Sequence, residues 1–176
     1  MRKTILTTRR LRLRTWLASD ALAYHKHCNT DDVMHFLGGV MSLRQVRAEV
    51  RWFQWQQAQY GHTFWLVERK RDIALLGFCG IIRITETSSP MYGALEIGWR
   101  IRADMWRRGY AFEAASAVMD WAEPRFEREH LVARIDKGNV ASERLARKLY
   151  MRRDRKRERA EALAGAGANV FKKSPR

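Results

Sequence analysis

The chain has 176 residues, 46% of them hydrophobic and 11% aromatic, which suits a single folded domain and excludes a disordered segment. Its two cysteines, Cys28 and Cys79, exclude a disulfide framework, and its longest nearly apolar run, Ile73 to Ile82, is far shorter than the roughly 20 residues of a membrane span. A net charge of +15, with +6 in residues 1–14 and another +6 in residues 151–176, points to anionic partners: a phosphorylated cofactor, RNA, the ribosome or an acidic substrate. The N-terminus starts like a secretion signal, but Arg9, Arg10, Arg12 and Arg14 interrupt any apolar centre, so a cytoplasmic location is expected.

Leu11 and Leu13 alternate with arginines, the period of a half-buried strand over residues 5–14. Ser19 is placed to cap a helix running to about Cys28, and a second short helical piece starts at Asp31 and breaks at Gly38-Gly39. From Ser42, Leu43, Val46, Val50 and Phe53 recur at helical steps, and Gly61 closes that helix. The period then changes to that of strands: 63–68, 75–84 and 94–101. Gly109 opens a helix with Ala111, Ala114, Ala115, Val118 and Ala122 on one face. Leu131 to Asp136 reads as a short strand, and Asn139 caps a helix carrying Leu145 and Leu149. The tail from Met151 is read as one or two weak strands around a loop at 164–168. This order gives a mixed sheet with helices on both faces, an α/β or α+β fold in one domain over residues 1–176.

The segment Leu95 to Ala115, LEIGWRIRADMWRRGYAFEAA, carries the chemistry. A strand ends, a basic turn follows and a helix of small residues begins. The first backbone N–H groups of a helix have no partner inside it and lie at the positive end of its dipole, so a phosphate fits there. Arg107, Arg108, Gly109, Tyr110, Ala111 and Phe112 therefore form a predicted pyrophosphate cradle. Neither the dinucleotide-binding glycine pattern nor a P-loop is present.

Several segments, in register, resemble the GNAT superfamily of acyl-CoA-dependent N-acetyltransferases, in particular the branch of Rim-type ribosomal-protein acetyltransferases. They are TTRRLRLRTWLASDA, LLGFCGI, LEIGWRI with WRRGYAFEAA, and VARIDKGNVAS with RKLYMRR, and together they span roughly residues 5–153; residues 154–176 are left as a basic tail. The resemblance implies a mostly antiparallel sheet splayed between its fourth and fifth strands, Leu95–Ile101 and Leu131–Asp136, with the pantetheine arm of acetyl-CoA in the gap. It implies backbone contacts to that arm at Trp99, Arg100 and Ile101, the diphosphate on residues 107–112, and further cofactor contacts from Asn139 and Ser142. Glu96 is implied as the proton acceptor for an attacking amine, and Phe36, Trp52 and Trp55 as lining of the acceptor slot. The acceptor is a primary amine on a protein N-terminus or a small molecule.

Three departures stand out. Trp106 occupies a place that holds Arg or Gln across the superfamily, though tryptophan is usual in the Rim-type branch. Arg107 replaces a frequent glycine. Tyr150 stands where a glycine usually ends the last family helix, which predicts an irregular helix end. The family's tyrosine general acid is matched by Ala146, so that role has no residue.

Elsewhere the sequence is quieter. His25, His27 and Cys28 have poor spacing for a metal and no third ligand, so no metal is expected; His35, His62 and His130 are isolated. The expected state is a monomer or homodimer without membrane association. A non-catalytic acyl-CoA sensor, or a nucleic-acid- or ribosome-binding module on the same fold, is the alternative function.

Overall fold

Residues 5–14, read as one strand, fold as a hairpin: β1 (Thr4–Thr7) turns back on β2 (Leu11–Arg14). The computed structural model describes residues 2–126, 131–165 and 167–173, so His130 lies outside the described residues. Next come α1 (Asp20–Cys28), α2 (Asp31–Met34) and α3 (Leu43–Tyr60). Ser19 makes no side-chain cap bond, whereas Ser42 forms the reciprocal capping box with Gln45, and Gly61 closes α3 in the left-handed conformation. The strands β3 (Phe64–Arg69), β4 (Leu75–Arg83) and β5 (Leu95–Ile101) follow in an antiparallel meander. Then α4 (Tyr110–Ala122), β6 (Leu131–Asp136), α5 (Val140–Lys148) and β7 (Met151–Arg153) complete the part read correctly in outline.

The tail departs from expectation. Residues 155–163 form a helix, α6 (Arg155–Leu163), before the last strand β8 (Ala168–Lys173). Asp154 starts it by accepting the backbone N–H of Arg157, a local cap in a stretch without an apolar stripe. Among the described residues, eight strands run in the order β1-β2-β3-β4-β5-β6-β8-β7, and the one parallel pair is β5 with β6. With the N-terminal strand split in two, the pair expected as fourth and fifth is fifth and sixth.

Tyr150 adopts the left-handed conformation with φ of 59° although it has a Cβ. Its N–H still closes the turn on Arg147 O at 2.9 Å, and the residue is 77% exposed, so the end of α5 keeps the shape a glycine would give it, at a cost of about 1–2 kcal/mol.

The alternation along β5 divides its side chains between the two faces. Leu95, Ile97 and Ile101 join the large core under α4 and α5, with Ile81, Ala114, Ala115, Val118 and Phe171. Glu96, Gly98 and Arg100 therefore face the other side, where α1 and α3 pack Tyr24, Val46, Val50 and Phe53 against Leu66 and Phe78. Gly98 is required there: a Cβ would lie 2.6 Å from Phe64 Cζ. No described helix is long and apolar enough to cross a membrane.

Both thiols sit in these cores. Burial pushes the Cys28 thiol up to about 12 and raises Cys79 as well, so both stay protonated at neutral pH. Iodoacetamide is expected to leave the native protein unlabelled at pH 8 and to label both after denaturation. Mass spectrometry reads the difference, and native labelling of either would contradict the packing.

Candidate active site

Strands β5 and β6 pair at Leu95 with Leu131 and at Glu96 with Val132, and then part. The far side of β6 is taken by β8 from Val132 to Asp136, and the far side of β5 by β4 over its whole length. Half of a strand's backbone groups face each neighbour, so the β6-facing edge of residues 97–101 is left without a strand partner. This wedge-shaped gap opens toward the N-terminus of α4.

There the loop takes two left-handed steps, Arg107 at φ 58° and Gly109 at φ 77°. Gly109 is the N-cap of α4 and offers no side chain, so the first N–H groups of the helix have no side-chain cap. Arg107 and Arg108 are exposed beside them. Trp106 donates its indole N–H to Ile101 O at 2.6 Å, which ties the turn back onto the end of β5. Arg10, which the sequence gave no signal to single out, reaches across from the β1–β2 turn. It donates to Arg108 O at 2.9 Å and to Glu113 at 2.6 Å, and its guanidinium lies 4.5 Å from the Tyr110 ring. The loop is thereby held through the Arg108 carbonyl and Glu113 of the first turn of α4, with Arg10 Nη2 3.4 Å from where a Cβ on Gly109 would lie.

The rims of the gap are linked in two places. At its closed end, Arg134 of β6 donates from Nε and Nη2 to Glu96 Oε2, at 3.0 and 2.8 Å. Burial raises the Glu96 carboxyl above its ordinary value, and Arg134 acts against that rise. On the α4–α5 face, Trp99 Nε1 donates to Ser142 Oγ at 3.3 Å. Toward the open end, Phe36 reaches the loop before α5: a Cβ on Gly138 would lie 3.5 Å from its ring. Asn139 accepts the Ser142 N–H at 3.1 Å, so its oxygen is engaged in capping α5.

Of the residues singled out from the sequence, the structure thus gathers Glu96, Trp99, Ile101, residues 107–112, Asn139, Ser142 and Phe36 around the gap. The Arg100 side chain turns to the opposite face and bonds Tyr24 Oη at 2.5 Å. Trp52 packs against Phe53, while Trp55 is 43% exposed and packs edge-on against Tyr60; neither ring contact is with β5 or β6. Arg134 was missed because its partner lies 38 residues away and no local pattern announces it. Among the described residues, no three His, Cys, Asp or Glu side chains are grouped to hold a metal ion.

The family described as acetyltransferase (GNAT) domain matches residues 10–152. The chain belongs to the GNAT acetyltransferase family. It is 38% identical to the uncharacterized protein YkkB of Bacillus subtilis over 151 residues, which is 85% of this chain and 86% of that one. Among solved GNAT-like structures, an acetyltransferase from Agrobacterium tumefaciens superposes with a TM-score of 0.79 at 24% identity, covering 97% of this chain and 94% of its own. A Salmonella typhimurium acetyl transferase that modifies the N-terminal serine of ribosomal protein L7/L12 superposes with a TM-score of 0.76 at 17% identity, covering 99% and 100%. These superpositions show that the chain shares the fold of these neighbours.

Proposed function

We propose that this GNAT protein transfers the acetyl group of acetyl-CoA to a primary amine by direct attack. The reading rests on the wedge between β5 and β6, which opens onto an uncapped helix N-terminus. Arg107, Arg108 and the N–H groups at residues 109–112 would hold the diphosphate. The unpartnered edge at Trp99–Ile101 would bond the pantetheine amides from the backbone, with Ser142 and Asn139 on the far rim. N–H groups of the same edge would polarise the thioester carbonyl.

Glu96 is the proton acceptor in this reading. The ammonium gives up its proton to the carboxylate, directly or through water, and the amine nitrogen bonds the acetyl carbon. The bonded nitrogen loses its second proton to water as the carbon–sulfur bond breaks, and the thiolate leaves with its electron pair and takes a proton from water. Arg134 holds one carboxylate oxygen and keeps Glu96 aimed along the gap. The acceptor is the N-terminus of a protein or a small-molecule amine. The Salmonella neighbour, which modifies a protein N-terminus, supports the first of these.

The test is a thermal melt with acetyl-CoA, followed by an amine panel with thiol detection. Acetyl-CoA at about one hundred times its dissociation constant adds about 2.7 kcal/mol, a rise of roughly 5–11 °C for a chain of this size. Thiol release should require both acetyl-CoA and an amine. A melting shift without turnover of any amine would make the protein a sensor. No shift, with RNA binding that falls steeply with salt, would make it a nucleic-acid module.

A further inference from the structure

Beyond β6 lies a cavity of about 330 Å³ that the transfer reading does not use. One wall is a face of α6, where Arg155, Glu158, Arg159 and Ala162 recur at helical steps. Ala168 and the buried Asn169 come from the start of β8, Arg153 from β7, and Lys137 from the loop that leaves β6. Four cations against one carboxylate leave +3 on the lining.

The carboxylate is already taken. Glu158 Oε1 accepts from Arg153 Nε at 2.6 Å and from the Val170 N–H at 3.2 Å. Arg153 also donates to Asn169 Oδ1 at 2.7 Å, and Asn169 donates to Glu143 of α5 at 2.8 Å, so these bonds fix the wall. Lys137, Arg155 and Arg159 are exposed and have no hydrogen bond or ion pair among the described residues. The helix adds to the excess. Its first turn begins Arg155-Lys156-Arg157, at the end where the backbone dipole is already positive. Its capping carboxylate, Asp154, is engaged by Arg157 Nη1 at 2.6 Å and by Lys172 at 3.4 Å. Three unmatched cations around one concave surface repel one another, and an anion between them turns that repulsion into attraction.

The cavity is distinct from the cofactor gap. The gap lies between β5 and β6, whereas β8 covers the opposite edge of β6. Lys137 stands five residues past Val132, the partner of Glu96, which is about 16–17 Å along a strand.

We propose that this cavity is a second anion site and binds the phosphate group of a small phosphate monoester. The guanidinium forks of Arg155 and Arg159 donate to the phosphate oxygens, and Lys137 adds a point charge. The methyl groups of Ala162 and Ala168 give the body of the ester an apolar floor. The volume is at the small end of ligand pockets, which suits a compact ester. The site does not depend on the transfer reading.

The experiment is calorimetry with phenyl phosphate on the wild type, Arg155→Gln, Arg159→Gln and Arg107→Gln, each free and saturated with CoA. The wild type is expected to bind phenyl phosphate more tightly than inorganic phosphate and not to bind phenol. Arg155→Gln and Arg159→Gln should each raise the Kd about tenfold or more, while leaving the acetyl-CoA melting shift and, as exposed positions, the melting temperature of the free protein unchanged. Arg107→Gln and saturating CoA should leave the binding in place. Loss of binding in Arg107→Gln but not in Arg159→Gln would put the anion at α4 and overturn the proposal. So would unaltered binding in both α6 variants, or no binding at millimolar phenyl phosphate. Equal affinity for inorganic phosphate would overturn the ester assignment. A preference for CoA over dephospho-CoA that vanishes in Arg159→Gln would give the cavity to the cofactor's own phosphate and overturn the second site. RNA bound without any phenyl phosphate binding would sink the small ester in favour of a nucleic acid.

Discussion

Glu68→Ala is expected to lower the melting temperature by roughly 6–20 °C. Glu68 lies on β3 with 2% of its side chain exposed, and three arginines of the N-terminal segment converge on it: Arg2, Arg12 at 3.0 Å and Arg14 at 3.1 Å. Arg2 and Arg12 keep a third or more of their side chains in water, so salt screens their share. Arg14 is different. It is 7% exposed, and without Glu68 its guanidinium would keep only Asp20, at 2.7 Å, as an anionic partner. Removing one partner of a buried ion pair costs about 3–5 kcal/mol, because the other charge is left buried. At about 2–4 °C per kcal/mol for a chain of this length, the stated range follows. Calorimetry of the variant and of Glu68→Gln checks it. A shift below 2 °C in the alanine variant would mean that Arg14 finds water, and that the hairpin is held by its backbone pairing alone.

This cluster also shows what the sequence alone does not reveal. Read along the chain, six basic residues in the first fourteen form an uncompensated patch that invites an anionic partner. In three dimensions Arg10, Arg12 and Arg14 are matched by carboxylates 6 to 103 residues further on, at Asp20, Glu68 and Glu113. Charge pairing of this kind has no local signature, and the same holds for Arg134 on Glu96 and Arg100 on Glu49. What was legible had a period or a cap. The helical steps of Leu43, Val46, Val50 and Phe53 after Ser42, the alternation on β5 and the small-residue face of α4 each state their structure within a few residues. The tail helix α6 has a local cap as well, Asp154 on Arg157, but RKRERAEAL carries no apolar stripe, and its buried residue is a glutamate, Glu161. A helix without such a stripe gives the hydrophobic period nothing to detect. The wedge itself was legible only through the resemblance, because where two strands part depends on partners far apart in sequence.

The largest effect on activity is expected from Glu96→Gln, which should lower kcat by about 10²–10⁴-fold while leaving the acetyl-CoA melting shift intact. The argument is geometric first. Glu96 is the last residue of β5 that pairs with β6, on the face covered by α1 and α3, with Arg134 on one of its oxygens. A base works only when deprotonated, so the rate should fall as pH drops through its pKa. Burial raises that pKa, which moves the acid limb of the profile upward from the ordinary carboxylate range. Arg134 favours the charged form and holds the limb down. Replacing Arg134 by methionine removes a cation that stabilises the carboxylate, so the pKa rises further and the limb shifts to higher pH. The same substitution in the Glu96→Gln background should shift nothing, since no proton is left to titrate there. The profile of kcat/KM against pH for the four proteins reads all of this. An acid limb that stays in place when Arg134 is removed, or that survives in Glu96→Gln, would assign the titrating proton to another group. Glu96 would then be a structural carboxylate that fastens the closed end of the wedge.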